Sequence, residues 1–451
     1  MNITLLIIII YLFLTFVIAW YFSRKESLED YFLNKKKTNL WLMTFSTVAT
    51  VFGAGASVAI VSEVYNSGIS YGLALPVSFL FGMLILGLAA KKIKSIGDEY
   101  GAYTVVDFFH KRYDKKNKIL VGILQLFLLI IWIAVQAVAI ASLVSVLIGV
   151  DYTIALILTA VITICYTSLG GLKVDIITDF FQFWIIMIVF VALAFIGYQE
   201  VGGFSNLISN VPKEHFNPFA FGGISWFIGA ILLSGFLYLG NTTQWQRIFS
   251  AESQQTAKKS FYLSIPFLVV LGLITIFLGL ISSVLLSGIK QENAIFLLMN
   301  ELLTPTFAGI GFAAILAVIM SSIDSLLVGG SAIIYKAMFK ENGSIEKRRL
   351  LYARIITTLF GILGFVIAFI LPNIITLSLL VTYLAIIFVP PIISGLYYKK
   401  TSSEASFWSI LIPTIVLFSL FPFVKENTFL ISGTLGIVII IFYDKLFKVK
   451  L

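Results

Sequence analysis

Long apolar runs, each closed by a short polar or glycine-bearing stretch, recur along the whole chain. Thirteen stand out, near residues 2–22, 41–66, 69–90, 118–149, 152–169, 172–198, 223–242, 260–287, 307–335, 351–371, 374–398, 404–422 and 428–447. Most reach the roughly 20 residues that a hydrocarbon layer of about 30 Å demands of a helix. Backbone amides in lipid must pair within their own segment, so the runs predict helices. The alternation in steps of two that marks a membrane β-barrel is absent. The pattern predicts an all-α polytopic membrane protein with about 13 transmembrane helices. The first run predicts a retained span, because Met1 and Asn2 supply no basic segment of the kind that opens a cleaved leader.

Composition agrees: 59% of the 451 residues are hydrophobic and 12% charged. An odd number of crossings puts the termini on opposite sides, and lysine and arginine decide which. With the N-terminus outside, 28 of the 31 basic residues, Arg247 among them, fall on cytoplasmic loops and span ends; only Lys213, Lys290 and Lys425 fall outside. One miscounted span would scramble this asymmetry. The expected location is therefore the inner (plasma) membrane, multi-pass, with the C-terminus cytoplasmic. The net charge of +9 reads as a topology signal, which removes nucleic acid as a partner and leaves the lipid bilayer. The largest polar loops, 91–117 inside and 199–222 outside, are too short for an enzyme or sensor domain. The first contains Tyr103 to Phe109, expected as a short interfacial helix. The single cysteine, Cys165, forms no internal disulfide.

Charges inside spans are costly, so each marks a candidate functional residue. Three acids qualify, Glu63, Asp179 and Asp324, and no lysine or arginine is expected deep enough to pair with them. Glu63 lies near an outer helix end and reads as solvated. Asp179 and Asp324 are either cation-linked or hydrogen-bonded to neighbouring helices. In Ser321-Ser322-Ile323-Asp324-Ser325, residues 321, 324 and 325 share a helix face, and hydroxyl and carboxylate oxygens are what a hard cation takes. Phe52-Gly53-Ala54-Gly55-Ala56-Ser57 is rich in small residues. It reads either as close helix packing or as a discontinuous helix whose open carbonyls bind a cation. Ser234-Gly235 is a similar weak point in the span at 223–242.

Four blocks resemble the sodium:solute symporter family. They are Asp30-Tyr31-Phe32-Leu33 with Ser46 to Thr50 and Tyr65 to Gly68; Thr104 to Tyr113; Tyr166 to Leu172 leading into Thr178 to Gln182; and Gln246-Arg247 with Ala313 to Ser322. The resemblance implies a LeuT-like core of two inverted five-helix repeats. The domains expected from it are 1–40 (first span and cytoplasmic linker), 41–198 (first repeat), 199–398 (second repeat) and 399–451 (two C-terminal spans). It also implies a main sodium site of the Ala49, Phe52 and Val318 carbonyls with the Ser321 and Ser322 hydroxyls. A possible second sodium or proton site falls on Asp179, Ser321, Asp324 and Ser325. A family member with that second site carries serine where Asp324 stands. Substrate positions implied by similarity are Gly53, Ala56, Ser78 or Phe79, Ser234 and Tyr238. Trp132 and Gln136 either line the same pocket or only pack.

The resulting expectation is a secondary active transporter: sodium-coupled symport of a small organic solute by alternating access, with sodium as coupling ion and no cofactor. Ala56, Phe79 and Ser234 offer little to a polyhydroxylated ligand, which points to an amino acid, monocarboxylate or vitamin-like solute. The alternative is a proton-coupled carrier of the same fold using Asp179 or Asp324. An enzyme is not expected, because His110 and His215 read as solvated loop residues on opposite sides with no nucleophile to pair with.

Overall fold

The computed structural model describes residues 3–24, 26–339, 346–398 and 400–447. Lys25, Lys340, Lys399, Lys448 and Lys450 of the basic inventory lie outside the described residues, as do the side chains of Cys165 and Lys347. The described chain is helical, with one isolated bridge between Thr38 and Ala251. Its helices are α1 (Ile3–Ser23), α2 (Leu28–Leu33), α3 (Leu40–Val51), α4 (Val58–Ser67), α5 (Ile69–Gly72), α6 (Ala74–Tyr100) and α7 (Val105–Arg112). There follow α8 (Lys115–Ile148), α9 (Tyr152–Leu169), α10 (Leu172–Glu200), α11 (Gly203–Asn210), α12 (Gly223–Leu233), α13 (Thr242–Ser250) and α14 (Gln254–Leu285). The last are α15 (Ala294–Leu302), α16 (Pro305–Met338), α17 (Glu346–Ile370), α18 (Ile374–Ile387), α19 (Val389–Tyr397), α20 (Ser403–Val424) and α21 (Thr428–Leu446).

Polar residues between the runs cap these helices and so set where each begins. Asn39 accepts from Leu42 N at 3.0 Å to start α3, and Asp114 accepts from Asn117 N at 2.8 Å to start α8. Thr104 and Asp107 form a reciprocal capping box that opens α7, the expected short helix. Among the described residues, nine helices are long and apolar enough to cross a membrane, or ten if the bent pair Gly223–Tyr238 and Thr242–Ser250 is one span. The expected 13 further needs α3 with α4, then α9, and both arms of the stretch Ser403–Leu446 counted separately.

The helices sort into a core and a lipid-facing shell. α16 is buried on every side from Gly311 to Ile333, and α8 is buried from Ile133 to Leu143. Around them pack α1, α3, α10, α17 and α18, while α20 and α21 lie against each other as a hairpin. Phe13 on α1, Val161 on α9, Ile188 on α10 and Leu359 on α17 turn outward, as lipid-facing side chains do.

Gly240 is one of the glycines that set how closely neighbouring elements approach. A Cβ on Gly240, between α12 and α13, would overlap the Ala385 carbonyl of α18. Gly240→Ala is therefore expected to cost about 1–3 kcal/mol by overpacking. Gly433→Ala, where a Cβ meets only Ile386 at 3.6 Å, is expected to be neutral. Thermal melting of the two purified variants in detergent checks this.

Candidate functional site

The run at 41–66 is not one helix. α3 ends at Phe52 (φ −83°, ψ 49°) and α4 resumes at Val58. Between them the Gly53 carbonyl accepts from Ala56 N at 2.9 Å and from Ser57 N and Oγ at 3.0 Å. The last-turn carbonyls of α3 have no partner further along their own helix, and α16 supplies one. Ser321 Oγ donates to the Ala49 carbonyl at 2.8 Å and Ser322 Oγ to the Thr50 carbonyl at 2.8 Å. Both hydroxyls also reach the Val318 carbonyl, at 3.0 and 3.3 Å. Ala49, Val318, Ser321 and Ser322 thus meet at one junction, with Phe52 at the point where α3 stops. Gly53 permits the contact, because a Cβ there would overlap the Ser322 hydroxyl and crowd the Gln136 amide.

A cavity of about 140 Å³ opens beside this junction. Gly53, Ala56, Ser78, Trp132, Gln136, Ser234 and Tyr238 line it. Phe79 does not: it is fully buried behind the wall, its ring centroid 6.3 Å from that of Tyr238. Gln136 does more than pack, since its Oε1 accepts from Ala54 N at 2.9 Å and so holds the break open. The opposite wall is a second interruption. α12 gives way to a tight 3-10 turn at Ser234–Tyr238, and α13 departs at 44°. Sequence reasoning missed Asn241 and Gln244 on that wall, and it missed Tyr71, Trp226 and Tyr383, which cover one end. There Tyr71 stacks on Trp226 at 5.6 Å, and Trp226 Nε1 donates to Tyr383 Oη at 3.2 Å. None of the described lining residues is Asp, Glu, Lys, Arg or His.

The largest departure from expectation lies under this cavity. Arg247 does not sit in a cytoplasmic loop. The helix continues past residue 242 as α13, every residue of which is buried, and Arg247 is 1% exposed. Its guanidinium donates to Ser325 Oγ at 2.7 Å, to Asp179 Oδ2 at 3.2 Å and to Asp175 Oδ2 at 3.3 Å. It also reaches Ser46 Oγ at 3.2 Å and the Thr50 hydroxyl. Asp179 further accepts from Ser46 at 2.6 Å and Thr50 at 3.1 Å, and Asp175 accepts from Ser325 at 2.6 Å. The expectation that no cation reaches the intramembrane acids is therefore corrected, and Asp175, overlooked in the first turn of α10, joins them. Two acids at i and i+4 facing an arginine at the end of a broken span were the available signal.

Asp324 stands apart from this cluster. Its Oδ1 accepts from Thr167 Oγ1 of α9 at 2.6 Å. Asp179 and Ser325 thus converge on Arg247 while Asp324 engages a different helix. Glu63 is buried rather than solvated, at 5% exposure, and accepts from Ser67 one turn on. His215 is also buried, its backbone packed on Gly68, whose φ of +80° and lack of a Cβ allow the approach; His110 is exposed as expected.

A helical membrane bundle with a cavity wedged between two broken helices defines a secondary transporter. The model of the sodium:solute symporter family matches residues 31–413, and the chain belongs to that family. Sodium/proline symporters of Staphylococcus aureus, from strains JH9 and NCTC 8325 among others, are 28% identical over 360 residues, covering 77% of this chain and 70% of theirs. A Na+-coupled sialic acid symporter, solved in a substrate-bound outward-open state, superposes with a TM-score of 0.85 at 16% identity over 98% of this chain and 97% of that one. A nucleobase-cation-symport-1 family transporter in a closed conformation superposes with a TM-score of 0.59 at 11% identity over 91% and 94%. The fold is LeuT-like, and the chain is a membrane-embedded, sodium-coupled symporter of a small solute, not an enzyme.

Removing one partner of a buried ion pair typically costs about 3–5 kcal/mol, because the remaining charge loses its compensation. Arg247→Met is expected to fall in that range. The triple variant Arg247→Met, Asp175→Asn, Asp179→Asn is expected to recover most of the loss. Detergent melting curves of the two check this, and an unaltered midpoint for the single variant would remove the ion cluster from the account.

Proposed function

We propose that the transported solute is a small zwitterion, an amino or imino acid, carried with one sodium ion per cycle by alternating access. The observation that carries this reading is an uncharged cavity between two helix breaks, adjoining the Ala49–Ser321 and Thr50–Ser322 contacts. A volume of about 140 Å³ corresponds to about five waters at roughly 30 Å³ each, which suits an amino acid better than a sugar acid. No side-chain charge balances a net charge on the solute. A carboxylate can instead take the positive end of α4, which begins at Val58 beside Gly55 and Ala56. Trp132 Nε1, Ser234 Oγ and Ser378 Oγ are buried at the wall without partners among the described residues, and they suit a solute with a few polar atoms. The Staphylococcus aureus relatives make proline the first solute to test.

Sodium is assigned to the main site, held by the carbonyls of Ala49, Phe52 and Val318 and the hydroxyls of Ser321 and Ser322. There it would bridge α3 to α16 and so favour the state ready to take substrate. At the possible second site, Arg247 already supplies a positive charge to Asp179 and Ser325, which supports a single sodium. The same pairing weighs against Asp179 as a proton carrier. Residues 41–198 and 199–398 are taken as the two inverted repeats, with residues 1–40 and 399–451 flanking them. The basic-residue asymmetry supports an inner-membrane protein with the N-terminus outside.

Purified protein is expected to melt higher with proline or another small neutral amino acid in sodium but not in potassium, and to be unaffected by sugars. Equal stabilisation in both salts would count against sodium linkage at this site, and a sugar hit against the zwitterion. Sodium activation of uptake is expected to be hyperbolic. Losing one hydroxyl ligand is expected to weaken apparent sodium affinity roughly tenfold, so Ser321→Ala with Ser322→Ala should weaken it more. Unchanged sodium dependence in that double variant would displace the assignment.

A further inference from the structure

A second cavity, of about 500 Å³, lies far from the solute site. It is bounded by α7, the first three turns of α8 and the last turn of α16. Its lining joins two chemistries. Lys115, Lys118, Lys336 and His110 are basic. Ile119 and Ile123 of α8 and Met338 of α16 lie among them and are 52%, 62% and 66% exposed. Lys115 and Ile119, then Lys118, Gly122 and Leu126, recur at helical spacing, so basic positions are followed along α8 by an apolar stripe about 10 Å long.

Asp107 is the one acid among the lining residues, against three lysines, and its Oδ2 accepts from Tyr103 N at 2.8 Å and Thr104 N at 3.0 Å at the start of α7. Neither Lys115 nor Lys118 has an acidic partner among the described residues. Lys336 lies 4.0 Å over the Tyr103 ring and donates to the Gly101 carbonyl at 3.4 Å, so its position is fixed. Partial burial, then the neighbouring Lys118 and Lys111, hold the His110 imidazole below its ordinary range.

We propose that this groove binds an anionic phospholipid, its phosphate on Lys115, Lys118 and Lys336 and an acyl chain along Ile119 and Ile123. Charge complementarity selects the headgroup, and the lipid-facing apolar stripe selects a lipid over a soluble anion. α8 carries Trp132 and Gln136 and α16 carries Ser321 and Ser322, so the lipid would join the cytoplasmic-end supports of both binding sites. Only the description of this end as cytoplasmic rests on the orientation proposed above; the binding itself does not.

The test is native mass spectrometry and thermal melting of the full chain with phosphatidylglycerol, phosphatidylcholine or inorganic phosphate. Phosphatidylglycerol should be retained and stabilising, phosphatidylcholine released, and millimolar phosphate without effect. Lys115→Gln with Lys118→Gln should weaken phosphatidylglycerol retention roughly 30-fold. Ile123→Trp, which fills the apolar stripe and leaves the charges, should weaken it independently if the lysine variant fails to fold. Equal retention of the two lipids, retention unaltered in both variants, or equal stabilisation by inorganic phosphate would overturn the proposal. Sodium-dependent melting with solute reports separately on the transport site.

Discussion

A peptide group that leaves helical geometry inside a membrane must find another partner, and it can do so only where protein or a polar cavity surrounds it. That constraint organises this molecule. Its two interruptions, at residues 52–57 and 234–241, face each other across one cavity, and the side chains around them are those that complete the broken backbone. α8 contributes twice. Gln136 accepts from Ala54 N at 2.9 Å, and Gln125 Nε2 donates to the Gly240 carbonyl at 2.6 Å. The two glutamines are 11 residues apart, about three turns, so one buried helix face supports both breaks. Trp245 Nε1 adds a bond to the Leu239 carbonyl at 2.9 Å. α16 does the same for the end of α3 with two adjacent serines.

Beneath the cavity four elements, α3, α10, α13 and α16, are tied by charged and hydroxyl side chains instead of backbone. Arg247 belongs to the second broken helix, Asp175 and Asp179 to α10, Ser46 and Thr50 to α3, and Ser325 to α16. Such a cluster is a costly way to gain stability, since desolvation offsets much of the attraction. Its geometry gives it another consequence. Thr50 lends its hydroxyl to the ion cluster and its carbonyl to Ser322, so a change at one is passed to the other through a single residue.

Much of this was legible in the residues. Runs of apolar side chains marked the helices because lipid requires them, and Gly53-Ala54-Gly55-Ala56 marked either close packing or a break; the structure has both, since Gly53 lets Ser322 of α16 approach the end of α3. Ser321 and Ser322 were recognisable as hydroxyls in an otherwise apolar helix. The second half of the second broken helix was not legible. Thr242-Thr243-Gln244-Trp245-Gln246-Arg247 reads as a polar loop by hydropathy, yet it is a helix buried in protein, where polar side chains meet polar partners and not hydrocarbon. Ending the span at residue 242 moved Arg247 to the surface and left Asp179 without a cation. Glu63 and His215 were misjudged for a related reason, as distance from a helix centre says little about burial when neighbouring segments fold over an end. Of the pair Ser78 or Phe79, Ser78 faces the cavity, while the Phe79 ring is buried one layer back beside Tyr238.

The tryptophans are unevenly placed. Of the seven in the chain, Trp20, Trp41 and Trp184 face outward, Trp408 on α20 is half-buried and Trp245 is sealed in the core, whereas Trp132 and Trp226 line the solute cavity. The Trp132 indole nitrogen is buried without a partner among the described residues, so whatever enters the cavity alters the polarity around that ring. The protein therefore contains its own optical reporter. Emission from Trp132 follows occupancy without a label, and a variant retaining that one indole would separate filling of the cavity from motion of the surrounding helices.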